Sequence, residues 1–251
     1  MYDIKALQNF IRSSETLKNI LTHLKNSPYP GRGIIVGSAP DGGTGFALYF
    51  LTGRSVNSRN RVIRREGSVI RTEAFDPALL SDPTLVIYNA ARIERDRLVV
   101  TNGSQTDDID NLHAWTFEPD TLSTPRISAV IVPDGAFELS ILKSLGAPGD
   151  ENAPVSRQYF EYEPQPGILR LITTYDGNSE NPAAFSGEPL AGSFDGNFDL
   201  AFDKIWDALN GDNRISIVML TYPLNNSKGD ETEWNSNTVL TRIRNRRELE
   251  S

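Results

Sequence analysis

Short apolar runs separated by turn-forming residues make up most of this chain. Near the N-terminus, apolar residues recur at helical spacing and predict one or two helices over 4–25, ended by Pro28 and Pro30. Beyond them the runs are short and predict strands, several of them paired as hairpins. The predicted strands lie at 33–38, 46–52, 61–65, 68–74, 85–93, 97–101, 126–132, 137–142, 155–162, 168–174, 214–221 and 238–243.

Two more helices are predicted among the strands. The segment 106–117 has Thr106 or Asp107 as its capping residue. The segment 198–209 places its large apolar residues on one face and is followed by an Asn-Gly stop signal. Because the strands occur in hairpin runs and do not alternate with helices, the pattern favours an α+β fold with largely antiparallel sheets.

Two stretches between the predicted strands are rich in Gly, Pro, Asn and Ser. They cover 146–154 and 176–197, and this composition predicts long surface loops. No linker divides the chain and no repeat of fixed period is present. We therefore expect a single domain over 1–251.

The composition excludes several classes of function. The net charge of −8 argues against nonspecific binding to nucleic acid. No apolar run reaches the roughly 20 residues of a membrane helix, and the N-terminus lacks the layout of a signal peptide, so we expect a cytoplasmic protein that does not enter membranes. The absence of cysteine excludes disulfides and thiol nucleophiles, and with only His23 and His113 no metal site is predicted.

Positive charge is concentrated in one short part of this acidic chain. The guanidinium group matches phosphate and carboxylate with a planar fork, so a local arginine cluster could hold a small anionic ligand. The segment 53–61 follows an apolar strand and combines arginine with serine and asparagine, which suits phosphate or ribose hydroxyls. The alternatives are a solvated strand face and a polar connection. The clustered arginines are Arg54, Arg59, Arg61, Arg64, Arg65 and Arg71.

Polar residues also stand at the ends of predicted buried strands. Tyr88-Asn89 ends an apolar run and is either a satisfied core pair or the lining of a site, where a tyrosine can act as a general acid. Arg126 opens a buried strand, and a charge there needs a partner, which is either an internal carboxylate or a ligand anion.

One connection joins a strand to the predicted helix at 106–117. Asn102-Gly103 reads as a turn and Thr106 or Asp107 as the cap. The main-chain N–H groups at a helix start also suit an anion. The two interpretations are compatible.

These fragments, in this order, resemble the IMP cyclohydrolase family first known from archaea. They cover residues 31 to about 132, and the C-terminal half is similar only in its pattern of strands and one long helix. The matching blocks are Gly31-Arg32, Arg54-Ser55 with Asn60-Arg61, Tyr88-Asn89, Asn102-Gly103 with Thr106-Asp107, and Thr124-Pro125-Arg126-Ile127.

The resemblance implies a four-layer αββα sandwich similar to the N-terminal-nucleophile hydrolases, here with an N-terminal helical extension at about 1–28. It implies cyclisation of 5-formamidoimidazole-4-carboxamide ribotide, a small purine ribonucleotide, to IMP with loss of water, the last step of purine biosynthesis. It requires no cofactor and no metal, and it is compatible with a homo-oligomer.

The resemblance also implies roles for the matching residues. Tyr88 donates a proton and Arg54 polarises the formyl oxygen. Asn89 and Asn102 hold the carboxamide. Arg126 is either a second clamp for an anion or the residue that fixes Asp107. The expected substrate-binding positions are Arg32, Ser55, Asn60, Arg61, Gly103, Thr106, Asp107 and Arg126.

Two alternatives stay open at this point. The same pocket could hold a purine nucleotide without the cyclisation, which would make this a binding protein. The related fold could also carry an amide hydrolase, although the chain start, Met1-Tyr2, offers no N-terminal Ser, Thr or Cys.

Overall fold

The computed structural model describes residues 19–80, 83, 86–177, 181–225 and 233–250. Residues 19–26 form helix α1, and most of the helical stretch predicted over 4–25 lies outside the described residues.

The further helices are α2 (Val56–Arg59), α3 (Phe198–Ala208) and α4 (Arg246–Leu249), with 3₁₀ helices at Pro77–Leu79 and Ser104–Ala114. The strands are β1 (Arg32–Ser38), β2 (Thr44–Thr52), β3 (Arg61–Glu66), β4 (Val69–Ala74), β5 (Asn89–Ile93), β6 (Leu98–Thr101), β7 (Arg126–Ile131), β8 (Phe137–Ser144), β9 (Val155–Tyr162), β10 (Ile168–Thr173), β11 (Tyr175–Asp176), β12 (Ala183–Ala184), β13 (Leu190–Ser193), β14 (Arg214–Pro223) and β15 (Leu240–Asn245).

These strands form two large sheets and one small ribbon. Sheet A has the order β13-β10-β1-β2-β14-β15, and sheet B runs in sequence order from β3 to β9. Neighbouring strands pair antiparallel in both sheets. The prediction of an α+β fold with mainly antiparallel sheets is therefore confirmed.

Strand β1 shows why the two sheets stack. Side chains alternate across a strand, so Ile34 and Val36 face the core between the sheets, while Ile35 faces the helices. On the outer face of sheet A, α1 and α3 pack through residues such as Leu24 and Phe202. Both faces of β1 are thus covered, and the whole strand is buried.

The outer face of sheet B is covered by the 3₁₀ helix at Ser104–Ala114. Its Ile109 and Leu112 pack on Val99 and Leu142. The elements therefore follow the order helices, sheet A, sheet B and 3₁₀ helix. This order is compatible with the expected αββα layering, and the likeness to N-terminal-nucleophile hydrolases stays a prediction.

The helix predicted over 106–117 is wrong in type and bounds, because a 3₁₀ helix occupies 104–114. Asp108 and Asn111 have non-helical backbone angles, with φ of −138° and −109°. The segment is rich in Asp, Asn and Thr, whose short polar side chains compete for main-chain hydrogen bonds and disfavour a helix interior.

Two further predictions need correction. The stretch 176–197, expected to be a loop, contains β12 and β13, and β13 extends sheet A beside β10. The strand predicted over 85–93, in which Tyr88-Asn89 ends the apolar run, begins only at Asn89 as β5, and residues 86–87 form a turn. Tyr88 therefore lies in the connection that enters the strand.

The C-terminal segment ties the edges of the two sheets together. Asn245, at the end of β15, accepts a hydrogen bond from the Ile63 main-chain N–H at 2.8 Å and donates to the Ile63 carbonyl at 3.1 Å. Its side-chain amide thus satisfies the edge of β3 in place of another strand.

Within the described segments, no helix has the length and apolar character needed to cross a membrane.

Candidate active site

Polar side chains gather at one end of the sandwich, where strands of both sheets begin or end. The start of β1 pairs with the end of β2, and the start of β7 pairs with the end of β6. Two contacts join the layers here. Arg32, in β1, contacts Glu118, which lies between β6 and β7. The hydroxyl of Tyr49, in β2, contacts that of Tyr88, which precedes β5.

The ion pair between Arg32 and Glu118 is the most deeply buried charge pair at this end. Arg32 Nη2 donates to Glu118 Oε1 at 2.5 Å, and the two side chains are only 10% and 3% exposed. Among the described residues, Arg32 Nε is buried and has no hydrogen-bond partner. The guanidinium therefore keeps one buried N–H donor that no acceptor within the described residues satisfies.

The backbone before Arg32 holds it in place. Gly31 has a φ of +70°, and a Cβ there would lie 2.1 Å from Thr174 Oγ1. Thr174 Oγ1 accepts the Arg32 main-chain N–H at 3.0 Å. Only glycine permits this close approach, which fixes the direction in which β1 starts.

Burial and the neighbouring polar groups shift the pKa of Arg32 in opposite directions. Burial alone lowers the pKa, but the Glu118 carboxylate and the nearby hydroxyls of Tyr88 and Tyr49 more than offset it, so the pKa lies above the ordinary value. Arg32 is consequently a permanent cation beside the two tyrosines.

The hydroxyl groups of Tyr49 and Tyr88 lie near the Arg32 cation and contact each other. The hydroxyl oxygens of Tyr49 and Tyr88 are 2.7 Å apart, and both residues are buried. Burial raises the pKa of Tyr49 well above its ordinary value. Tyr49 therefore keeps its proton and can donate a hydrogen bond to the Tyr88 oxygen, which leaves the Tyr88 hydroxyl proton for another acceptor.

Asn102 is fully engaged within the protein. Its Oδ1 accepts from the Ile127 N–H at 2.8 Å and from Gln105 Nε2 at 3.0 Å, and its Nδ2 donates to the Pro125 carbonyl at 2.8 Å. Asn102 Nδ2 also lies 3.4 Å from Glu118 Oε1. The amide therefore holds the connection that carries Glu118.

Arg126 is buried next to this network. It donates to the Thr116 carbonyl and to Gln105 Oε1, both at 2.8 Å, and stacks over Trp115 at 4.8 Å. Burial lowers its pKa from the ordinary value, although Glu118 opposes the shift. Its partners are thus internal carbonyl groups.

The alternative in which Arg126 fixes Asp107 is wrong. Asp107 instead accepts from Asn89 Nδ2 at 2.9 and 3.1 Å and lies 3.7 Å from Arg92 Nη1. Asn89 and Asp107 form a half-exposed pair at the start of β5. Arg92, three residues after Asn89 in the same strand, provides the charge that the sequence interpretation assigned to Arg126.

Thr106 and Gly103 build the turn that leads into the 3₁₀ helix. The buried Thr106 hydroxyl contacts the Asn89 carbonyl and lies 2.5 Å from the Thr101 hydroxyl. The Thr106 main-chain N–H donates to the Gly103 carbonyl at 3.2 Å. A Cβ at Gly103 would lie 2.6 Å from Arg126 Nη1, so glycine is needed for this packing.

The loop after β2 divides into an outer and an inner part. Ser55 is exposed and caps α2 by accepting the Ser58 N–H at 3.1 Å. Asn60 is fully buried, and its amide pairs with the Asp76 main chain at 2.7 and 2.8 Å. Arg61 is buried and donates to the Ser58 carbonyl at 2.8 Å. Asn60 and Arg61 therefore anchor the loop.

Arg54 points from this loop toward the site end of the sandwich. Its guanidinium lies 3.9 Å from the ring centre of Tyr29, which stacks on Tyr175 at 5.7 Å. The Tyr175 hydroxyl lies 2.5 Å from the Thr124 hydroxyl, and burial raises the pKa of Tyr175 above its ordinary value. Stacked side chains and one hydroxyl contact thus connect Arg54 to Thr124, just before β7.

The structure brings Arg32, Tyr88, Asn102, Gly103, Thr106 and Arg126 into one network, extends it to Asn89 and Asp107, and places Asn60 and Arg61 in the supporting loop. The sequence interpretation missed Glu118, Tyr49, Gln105 and Tyr175. A usable signal existed for Glu118, because a buried arginine requires a carboxylate and this residue lies between Asn102 and Arg126. The tyrosines had no distinguishing signal within their apolar strands.

Within the described residues, no three His, Asp or Glu side chains come together in a way that could hold a metal ion. The chemistry available at the site is that of arginine cations, a buried carboxylate and tyrosine hydroxyls. Such groups transfer protons and stabilise developing negative charge. Groups of this kind, buried together at one end of the sandwich, suit an enzyme that uses acid–base chemistry on a small polar substrate.

Comparison with known proteins identifies the family. A family model described as IMP cyclohydrolase-like protein matches residues 29–226. The IMP cyclohydrolase of Methanopyrus kandleri is 34% identical over 171 residues, which is 62% of this chain and 79% of that protein. The IMP cyclohydrolase of Methanosphaera stadtmanae is 31% identical over 134 residues, 47% of this chain and 65% of that protein. That of Methanothrix thermoacetophila is 26% identical over 194 residues, 70% of this chain and 88% of that protein.

This chain belongs to the IMP cyclohydrolase-like family, whose curated members named above are enzymes. The resemblance stated from five short blocks is therefore confirmed. The match extends well beyond residue 132, where the similarity of the blocks ended.

Proposed function

We propose that this protein converts 5-formamidoimidazole-4-carboxamide ribotide to IMP with loss of water, in the cytoplasm, as the last step of purine biosynthesis. Family membership and the names of the relatives support this reaction. The observation that carries it at the site is the buried Arg32–Glu118 ion pair beside the hydrogen-bonded hydroxyls of Tyr49 and Tyr88.

The reaction requires the protein to accept a proton from the attacking nitrogen, to give a proton to the leaving hydroxyl, and to hold the two reacting groups in contact. The carboxamide nitrogen forms a bond to the formyl carbon, and the formyl oxygen becomes a hydroxyl group. That hydroxyl leaves as water after it receives a proton, and the ring nitrogens lose protons as the carbon–nitrogen double bond forms. Because both reacting groups belong to one molecule, holding them in contact supplies much of the rate enhancement.

Tyr88 is the proton donor in this proposal. Tyr49, kept protonated by burial, donates to the Tyr88 oxygen and so stabilises the phenolate that remains after proton transfer. The Arg32 cation lowers the energy of the same phenolate. Tyr49 is therefore a positioning residue and Tyr88 a catalytic one.

Arg32 and Glu118 have complementary roles in the proposed reaction. The positive charge of Arg32 stabilises the oxygen on which negative charge develops. Glu118 is the carboxylate of the buried cluster and accepts a proton from the attacking nitrogen. The pair is neutral overall, so its burial does not leave an isolated charge.

The remaining predicted residues bind or position the substrate. Arg54, on the Tyr29 ring, contacts the formyl oxygen, and Asn89, in its half-exposed pair with Asp107, holds the carboxamide. Ser55 lies at the exposed rim of the loop and contacts the ligand phosphate. The buried residues that position the others are Asn60, Arg61, Asn102, Gly103, Thr106 and Arg126.

Formation of IMP by the purified protein, followed by its ultraviolet absorbance, tests the proposal. IMP is expected to accumulate with the wild-type protein, and Arg54→Ala is expected to slow its formation about 100-fold. Arg64→Ala is the matched control, because Arg64 lies in the same arginine-rich part but pairs with Glu248 at the surface. IMP binding without IMP formation would show a nucleotide-binding protein and contradict the proposed activity.

A further inference from the structure

A second group of arginines lines a cleft of about 190 Å³ outside the network described above. The cleft lies between the end of α2, the start of β14 and the C-terminal helix α4. Ile215 forms its apolar part. The charged residues that line it are Arg59, Arg214, Arg246, Arg247 and Glu250.

Main-chain carbonyl groups hold these arginines in place. Arg59 Nε donates to the Gly53 carbonyl at 3.1 Å, and Arg214 Nη1 donates to the Trp206 carbonyl at 2.9 Å. Arg246 Nη1 donates to the carbonyls of Gly211 and Asp212 at 2.8 and 3.0 Å. A carbonyl fixes a guanidinium without neutralising it, so the cationic groups are held in position and keep their charge.

Few carboxylates balance this charge. Arg246 Nε donates to Glu250 at 2.6 Å, and Asp207 lies 3.5 Å from Arg214. Among the described residues, four arginines against these two carboxylates leave two positive charges in excess, in a protein whose net charge is −8. Such a local excess of cations in an acidic protein attracts a small anion.

The cleft also lies partly outside the region shared with the family. The family model ends at residue 226, whereas Arg246, Arg247 and Glu250 belong to the segment after β15. A reaction common to the family does not require residues that the family model does not include. The cleft is therefore expected to serve a ligand other than the cyclisation substrate.

We infer that this cleft binds the phosphoryl group of a small phosphorylated ligand, at a site separate from the Arg32–Glu118 network. Arginine guanidinium groups match phosphate oxygens with paired hydrogen bonds. A volume of about 190 Å³ is below the roughly 300–1,000 Å³ of sites that enclose a drug-sized ligand. The cleft thus fits the phosphoryl end of a ligand whose remainder projects into solvent.

Calorimetric titration with inorganic pyrophosphate at constant ionic strength tests this inference. Arg247→Gln is the main variant, because the described interactions of Arg247 are weak: a long 3.5 Å contact to the Arg59 carbonyl, a distant ring contact and a charge interaction with Glu250, which pairs directly with Arg246. Arg95→Gln is the matched control, since it removes one exposed arginine that is paired with Glu233 elsewhere on the surface. Wild-type protein and the control are expected to bind alike, and Arg247→Gln about tenfold more weakly.

Three results would overturn the inference. The first is the absence of saturable pyrophosphate binding in the millimolar range. The second is equal binding by Arg247→Gln and wild type. The third is a rise in the KM for cyclisation in Arg247→Gln by the same factor as the rise in the pyrophosphate Kd, which would make the cleft part of the substrate site. The titration requires no turnover, so failure of the proposed cyclisation leaves it readable.

Discussion

Replacing Glu118 by glutamine removes a buried negative charge while nearly preserving the shape of the side chain. In the wild-type protein Glu118 Oε1 accepts from Arg32 Nη2 at 2.5 Å and lies 3.4 Å from Asn102 Nδ2. Arg32 stays charged in the variant, because a guanidinium does not lose its proton in proteins. The variant therefore contains a buried cation without a counter-charge.

The size of the effect follows from the burial and the distance. At 2.5 Å and an effective dielectric constant of about 20, the attraction within the pair is roughly 7 kcal/mol before desolvation. Desolvation of two side chains that are 10% and 3% exposed offsets much of this. Removing one partner leaves the desolvation cost of the other, so we expect Glu118→Gln to lower the free energy of unfolding by about 3–5 kcal/mol.

Urea denaturation followed by circular dichroism measures this change. The double variant Arg32→Met/Glu118→Leu removes both charges and is expected to lose less stability than Glu118→Gln alone, because no unpaired charge remains. A loss below about 1 kcal/mol in Glu118→Gln would refute the view that Arg32 depends on this carboxylate.

Three further changes test other parts of the fold. Gly31→Ala is expected to destabilise the protein by about 1–3 kcal/mol in urea denaturation, because φ is +70° and the new Cβ would meet Thr174 Oγ1; unchanged stability would contradict the packing at the start of β1. Glu138→Gln is expected to raise the urea midpoint at neutral pH and not at about pH 3, since burial and the opposing Glu161 raise the pKa of Glu138. The cost in stability therefore begins as the pH rises above the ordinary glutamate pKa and is complete above the raised pKa; an equal effect at both pH values would contradict this sign. Asn245→Ala is expected to cost about 2 kcal/mol or more and to speed amide exchange at the edge of β3, because two buried main-chain groups lose their partner; unaltered exchange would count against the clamp.

The antiparallel sheets follow from local patterns that the sequence states clearly. The runs at 33–38 and 46–52 are apolar and are separated by a glycine-rich turn, and β1 and β2 form there with nearly the same bounds. Strand β13 could not be found in this way. The segment Leu190–Ser193 is short and consists mostly of small residues. It forms a strand because it pairs with the edge of β10.

The 3₁₀ helix at Ser104–Ala114 shows the limit of a periodicity argument. Ile109 and Leu112 have the spacing of a helix face, and they do pack on sheet B. The spacing does not distinguish an α-helix from a 3₁₀ helix, because residues three apart share a face in both. The difference arises from Asp108 and Asn111, whose backbone angles break the segment.

Sequence patterns predicted which residues belong to the site better than they predicted what each residue does there. Residues such as Asn60 and Asn102 have the chemistry of ligand contacts, but each is buried and satisfied by the main chain of a neighbouring loop. Pairings of this kind depend on tertiary contacts that separate segments make. The Arg32–Glu118 pair likewise spans 86 positions in the chain, so the position of Glu118 between Asn102 and Arg126 marks it as a candidate carboxylate without identifying Arg32 as its partner.

The central claim is that the network around Tyr88 performs the cyclisation by proton transfer. The most direct measurement is the single-turnover rate of IMP formation in Tyr88→Phe, compared with Tyr159→Phe, which removes the hydroxyl of a tyrosine that is 46% exposed. Urea denaturation of both variants, measured in parallel, controls for folding. We predict a rate about 100-fold to 10,000-fold below wild type for Tyr88→Phe and an unchanged rate for Tyr159→Phe. Equal rates in the two folded variants would contradict the claim.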